Sequence, residues 1–227
     1  MSKTHYPVDA ALVMLELSRA DRQLARVIRR IGSFPTKKRK PQHPFASLLQ
    51  AIVYQQIAGK AAEAIFGRVK ALGANGFPTP EEILRASKAK LRRAGLSRQK
   101  IAAMKDLAAK TLDGTVPTLA KIRRMSEEEI LERLTQVRGI GEWSVQMFLM
   151  SRLGRPDVLP IHDYGIRKGF QRVYGHKDVP KPQAILEYGE RWRPYRSIAS
   201  WYLWRALEEK QTKPKSKTKA KKISAGR

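Results

Sequence analysis

Val137 to Leu149 reads VRGIGEWSVQMFL, a Gly-Ile-Gly set inside what is otherwise one long helical pattern. Upstream, Ser126-Glu127-Glu128-Glu129 forms a capping box that starts a helix running through Leu131, Leu134 and Val137. Downstream, Trp143, Met147, Phe148 and Met150 supply the bulk of a second amphipathic helix that begins near Glu142. Two glycines so spaced permit backbone conformations closed to other residues, and they let another backbone come close. Ile140 between them is placed to turn inward and pin the two helices together. The second helix opens with unpaired N–H groups and the positive end of its dipole, which together suit a phosphate. A contact of that kind reads no base, as a protein that scans any sequence requires. An ordinary helix-turn-helix corner, in which glycine only makes the turn, is the competing reading.

The charge of the chain moves the balance toward DNA. Lys and Arg number 46 against 20 acids in 227 residues, giving +26 and a pI near 10.7. Such a charge opposes compaction unless a polyanion is the partner, so nucleic acid is the first expectation and an anionic membrane surface the second. Cysteine is absent, which excludes disulfides, thiolate catalysis, an iron-sulfur cluster and Cys-ligated zinc. MSKTHYPVDA has no apolar signal core, and no stretch reaches the ~18 apolar residues that span a bilayer, so an intracellular protein without a membrane anchor is expected.

Two basic runs stand out. Lys210 to Arg227 carries eight basic residues and no acid and is expected to form a disordered tail, leaving residues 1–209 as the folded domain. Removing those eight from the 46 still leaves 38 bases against 20 acids, so the folded body is itself basic. TKKRKP at Thr36 to Pro41 reads as an exposed loop, either a solvated linker or a DNA contact.

Between the runs the periodicity is helical almost throughout. Leu12, Leu15, Leu24, Val27, Ile28 and Ile31 are expected to form one apolar face, interrupted around Arg19 and ended by Gly32. Phe45 to Ile57 and Ala61 to Leu72 predict a pair of helices meeting near Gly59, and Thr79-Pro80-Glu81-Glu82 is a second capping box. Further helices are predicted over 97–112, 142–153, 163–174, 181–191 and 195–209. The class is all-α, a compact helical bundle of two packed subdomains with no strand pair and no repeat.

Longer stretches carry a resemblance. LTQVRGIGEWSVQMFLM (Leu134 to Met150) followed by DVLPIHDYGIRKGF (Asp157 to Phe170) resembles the helix-hairpin-helix, Gly/Pro-rich loop and aspartate of the DNA glycosylase superfamily named for that motif, HhH-GPD. In that pattern an Asp at a helix N-terminus follows the hairpin by a little over twenty residues. Gly139-Ile140-Gly141, Pro156, Pro160 and Asp163 match it. YQQIAGKAA (Tyr54 to Ala62), AGLSRQK (Ala94 to Lys100) and ERWRPYRSIASWYLWRAL (Glu190 to Leu207) are similar to the 3-methyladenine DNA glycosylase II branch. The likeness runs from about Phe45 to Leu207, and it implies an active site in the cleft between the subdomains, without the N-terminal β domain that some members carry.

Bifunctional members place a lysine nucleophile two residues after the second hairpin glycine. Here that residue is Trp143, which forms no Schiff base, so the resemblance implies hydrolysis by water without strand nicking. An N3- or N7-alkylated purine is already cationic, and its glycosidic bond is weakened. What the enzyme must add is a carboxylate where positive charge develops on the sugar, and Asp163 fits that role. An aspartate before a helix is ordinarily a plain N-cap; its spacing from the hairpin carries the catalytic reading.

The resemblance also assigns Trp143, Trp204, Met147 and Tyr54 to a pocket for the flipped base, whose cationic face an aromatic wall holds well. Met147 stands where a relative has tyrosine, and His162 departs from a relative's acidic residue. Trp192 and Trp201 lack the match and are expected in the core. The gap left by the base is expected to be filled from Gln55-Gln56-Ile57, with Gln56 first. The carbonyls of Thr135, Val137 and Ile140 map onto a hairpin seat for a monovalent cation; no organic cofactor is implied.

The expectation is a monomeric glycosylase that acts on damaged bases in double-stranded DNA and excises alkylated purines in base-excision repair. A non-catalytic helix-hairpin-helix binding module and a glycosylase for uracil, hypoxanthine or an oxidised purine are the alternatives. A tail that anchors the protein at a membrane surface is a remoter one.

Overall fold

The computed structural model describes residues 6–36 and 43–209, and among these no strand occurs. The expected tail from Lys210 and most of the Thr36 to Pro41 run, from residue 37 on, lie outside the described residues.

The decisive stretch folds as its punctuation dictates. Helix α9 (Glu127–Thr135) starts at the Ser126 capping box, with the Ser126 hydroxyl accepting from the Glu129 N–H and the Glu129 carboxylate accepting from the Ser126 N–H. Gly139 takes φ +77°, the left-handed region that ends the turn, and α10 (Glu142–Phe148) follows, continuing through a π-helical turn at Leu149–Leu153 to Gly154. Ile140 is 3% exposed and sits in the core between the two helices, as its position between the glycines required.

Two apolar cores organise the rest. The first gathers α3 (Pro44–Tyr54), α4 (Gly59–Lys70), α5 (Pro80–Arg85), α6 (Lys88–Arg93), α7 (Arg98–Leu112), α8 (Leu119–Ile122), α9 and α10 around Leu48, Ile52, Met104, Leu107 and Leu134. The second joins the two ends of the chain: α1 (Ala10–Ala20) and α2 (Arg22–Ile31) pack with α11 (Tyr164–Tyr174), α12 (Pro182–Gly189) and α13 (Arg196–Glu208) around Leu17, Leu24, Ile166, Trp192 and Tyr202. Each body thus has a core of its own, as burial of helical apolar faces requires. Trp204 packs against both, at the seam.

The apolar face expected along the N-terminal region is not continuous. Leu12 and Leu15 are each 47% exposed, while Val13 and Leu17 are buried. Asp21 resets the phase: it ends α1 and caps α2, accepting from the Gln23 and Leu24 N–H groups. Its other oxygen accepts from the Tyr174 hydroxyl at 2.6 Å and the Trp192 indole at 2.9 Å, which satisfies a carboxylate only 3% exposed. Helices α6 and α8, of six and four residues, are too short to give a periodicity, although Ser87 and Thr118 cap them. Trp192 and Trp201 are in the core, as expected.

Candidate active site and DNA interface

Asp163 is the N-cap of α11, and both of its carboxylate oxygens are held. Oδ1 accepts from the Ile166 N–H at 2.8 Å, the capping bond, and from the Trp204 indole N–H at 2.9 Å. Oδ2 accepts from the Trp143 indole N–H at 2.7 Å. The three donors come from α11, α13 and α10, so one carboxylate ties both bodies together. Charge-assisted bonds of this kind fix its rotamer. Trp143 itself is 48% exposed, unusual for an indole and suited to stacking on something that arrives later.

Two glycines that sequence reasoning passed over build this arrangement. A Cβ on Gly169 would lie 2.4 Å from the Leu203 carbonyl oxygen, so only glycine lets α11 press onto α13. One turn earlier, a Cβ on Gly165 would stand 3.0 Å from Asp163 Oδ1 and 3.1 Å from Trp204 Nε1. Gly165 therefore leaves the space through which the Trp204 bond reaches Asp163. Their spacing in YGIRKGF, four residues apart on one helix face, was the available signal.

Beside this carboxylate lies a cleft of about 1360 Å³, lined among others by Tyr54, Gln55, Gln56, Lys100, Trp143 and Met147. Its lining includes neither Asp163 nor Trp204; Trp143 is the shared wall, with its Nε1 on Asp163. The volume exceeds what a single base needs, as an open groove for a duplex should. Tyr54 meets Phe66 edge-on at 5.9 Å between ring centroids, which sets the Tyr54 ring in the wall.

The turn after α3 and the hairpin are physically joined. The Gln55 amide donates to the Gly139 carbonyl at 2.8 Å, while Gln56 is exposed and Ile57 half-buried. Gln56 has φ +56°, the one left-handed non-glycine among the described residues. Lys100 donates from α7 to the carbonyls of Val53 at 2.6 Å and Gln55 at 2.8 Å, and burial pulls its ammonium below the ordinary lysine range. From the other side Asp106 accepts from the Arg138 N–H at 2.7 Å and from Lys110, which also reaches the Gln136 carbonyl. Burial opposes the charge of Asp106, but the Arg138 N–H and the Lys110 ammonium outweigh it and hold the carboxyl below its ordinary range.

No side chain caps α10, unlike α9 and α11, so its first N–H groups face outward beside Gly141. A Cβ on Gly141 would meet nothing within 4 Å, and its φ of −93° suits any residue. The fold does not need glycine there. The carbonyls of Thr135, Val137 and Ile140 lie in the same turn, that of Val137 accepting from the Ile140 N–H at 3.0 Å with a lone pair to spare. His162 is exposed, and no partner for it is seen among the described residues. The roles of Gln55, Lys100 and Asp106 left no motif in the sequence, since each acts on a backbone atom 32 to 84 residues away.

Known proteins share this fold. Residues 49–194 match the family model described as HhH-GPD superfamily base excision DNA repair protein. DNA-3-methyladenine glycosylase 1 of Schizosaccharomyces pombe is 38% identical over 193 residues, 84% of this chain and 85% of that protein. A Schizosaccharomyces pombe 3-methyladenine DNA glycosylase in complex with abasic DNA superposes with a TM-score of 0.76, at 37% identity over 85% of this chain and 95% of that one. A DNA-3-methyladenine glycosidase from Bacillus halodurans gives 0.78 at 32% identity, over 86% and 89% of the two chains. With its hairpin, its capped aspartate and a match across residues 49–194, the chain belongs to the HhH-GPD superfamily of base excision DNA repair proteins.

Proposed function

We propose that the protein is a monomeric, monofunctional DNA glycosylase that excises alkylated purines of the 3-methyladenine and 7-methylguanine type from double-stranded DNA. The observation that carries it is Asp163, a carboxylate fixed by two indoles beside a cleft whose wall is an exposed tryptophan. The names of the relatives, glycosylases for 3-methyladenine, support the same substrate class.

The chemistry follows from charge. A flipped, cationic purine stacks on Trp143, whose N–H bond to a carboxylate enriches the ring face that a cation seeks. The bond from C1′ to the base nitrogen breaks, the electron pair leaves with the base, and the base departs neutral. The positive charge left on the sugar ring faces Asp163, which stabilises it. Water adds to C1′ and loses its proton to the Asp163 carboxylate or to solvent, giving an abasic site. Trp143 offers no amine, so no covalent enzyme–DNA bond forms and the strand stays whole. Gln56 fills the gap in the duplex, Tyr54 and Met147 complete the pocket while Trp204 holds Asp163 beside it, and the outward N–H groups after Gly139-Ile140-Gly141 hold a phosphate. The carbonyls of Thr135, Val137 and Ile140 would hold a monovalent cation, which brings positive charge to that phosphate; all-carbonyl oxygen is the donor set such an ion takes.

The test is chromatography of bases released from methylated duplex DNA, with the product strand examined before and after hot alkali. Methylpurine release, with nicks appearing only after alkali and no adduct trapped by borohydride, is the expected result. A nick before alkali would refute the monofunctional reading, and no released base would refute the glycosylase.

A further inference from the structure

We propose that Lys100 is the positioning residue of the gap-filling turn: its ammonium clamps the carbonyls of Val53 and Gln55, so that Gln56 already stands toward the duplex before DNA arrives. The inference rests on the reading of Gln56 as the gap filler.

A helix end exposes carbonyls that have no partner within the helix, and a glycine in the left-handed region is the common solution. Helix α3 ends at Tyr54 without one. The left-handed position falls to Gln56, where a Cβ is disfavoured. Such a conformation persists only where its surroundings over-determine it. Lys100 supplies that constraint from a different helix, with two short bonds to the carbonyls just before Gln56 and a cation at the negative end of α3.

Its setting separates Lys100 from the other bases of the cleft. It lines the cleft, where an ammonium could reach for phosphate, yet it is turned onto the protein backbone. Burial also lowers its affinity for a proton, as expected of a group withdrawn from water. Gln55, itself one of the two clamped positions, gives its amide to the Gly139 carbonyl. The backbone on the near side of Gln56 is thereby held to α7 and to the hairpin, while the Gln56 side chain is exposed. Pre-ordering of this kind moves the cost of shaping the turn from the encounter with DNA to the folding of the protein.

A positioning role predicts loss of discrimination, whereas a phosphate contact predicts a uniform loss of affinity. Binding is measured to a duplex with a tetrahydrofuran abasic analogue and to the same duplex undamaged, for wild type, Lys100→Met, Lys100→Arg, Gln56→Ala and the Lys100→Met/Gln56→Ala double variant. Lys100→Met is expected to lower the preference for the abasic duplex about tenfold, with affinity for undamaged DNA changed less than about twofold. Lys100→Arg, which keeps the charge and donors, should recover most of the preference, and the double variant should be no worse than Gln56→Ala. The proposal is overturned if Gln56→Ala loses the preference while Lys100→Met keeps it, or if the two losses multiply in the double variant. Preference retained in Gln56→Ala would remove the gap-filler reading itself, and the proposal with it. Should Lys100→Met lose its helical circular dichroism, Lys100→Gln carries the same comparison.

Discussion

Asp163→Asn isolates charge from shape. Asparagine caps a helix as well as aspartate does, so α11 keeps its N-terminus. The amide oxygen will take the Oδ1 position, where the Ile166 and Trp204 N–H groups both need an acceptor. The amide nitrogen then faces Trp143 Nε1, donor against donor at a site now spaced 2.7 Å. Trp143 is exposed enough to turn to water, so the loss is about 1 kcal/mol, or about 2–4 °C in Tm for a chain of this size. Chemistry suffers far more. A unit charge about 4 Å from a developing cation contributes about 4 kcal/mol at an effective dielectric near 20, which is about a 10³-fold loss in rate. The assay is single-turnover release of 7-methylguanine from methylated duplex, in EDTA, with melting curves on the same preparations. An Asn variant within about tenfold of wild type would refute the electrostatic role of Asp163. An inactive variant that melts more than about 10 °C lower would assign the loss to structure instead.

Trp143→Phe keeps a ring in the cleft but removes the donor to Oδ2; single-turnover excision should fall about tenfold while abasic-duplex affinity changes little, as titration by anisotropy would establish. Gly141→Ala should melt with wild type, since its Cβ meets nothing, yet bind both damaged and undamaged DNA more weakly; unaltered DNA affinity would refute the backbone approach at that glycine. Gly139→Ala, forced into φ +77°, should lose about 1–2 kcal/mol in urea denaturation before any DNA is added. Asp106 titrates below its ordinary 3.8 in the folded protein, so its stabilisation of the hairpin is full above that pH and disappears as pH falls through the depressed value. Melting temperatures followed below pH 3.8 should therefore fall less steeply in Asp106→Asn than in wild type.

The hairpin, both capping boxes and the helix that begins after Asp163 were legible because each is written in local chemistry: paired glycines, a Ser or Thr three residues before Glu, an Asp before a helical pattern. Leu12 and Leu15 were misread for the opposite reason. Their neighbours Val13 and Leu17 carry an equally good helical face, and only the fold decides which one α2 and the turn at Glu190–Trp192 cover. The indole bonds to Asp163 were illegible as well, since a tryptophan's ring says nothing about where its N–H points. Gly165 and Gly169 were in plain view, but a glycine that admits a neighbour looks in sequence like a glycine that merely weakens a helix.

The bond from Trp143 to Asp163 crosses between the two bodies, so it reports on their registry as much as on the carboxylate itself. The indole rises from α10 in the first body, and the aspartate opens α11 in the second. A hydrogen bond fails by about 3.6 Å, so from 2.7 Å a separation of less than an ångström breaks it. Each core can stay intact while that happens, and the aim of Oδ2 is the first thing lost: a substitution far from Asp163 that merely shifts one body against the other would act like a misaimed carboxylate.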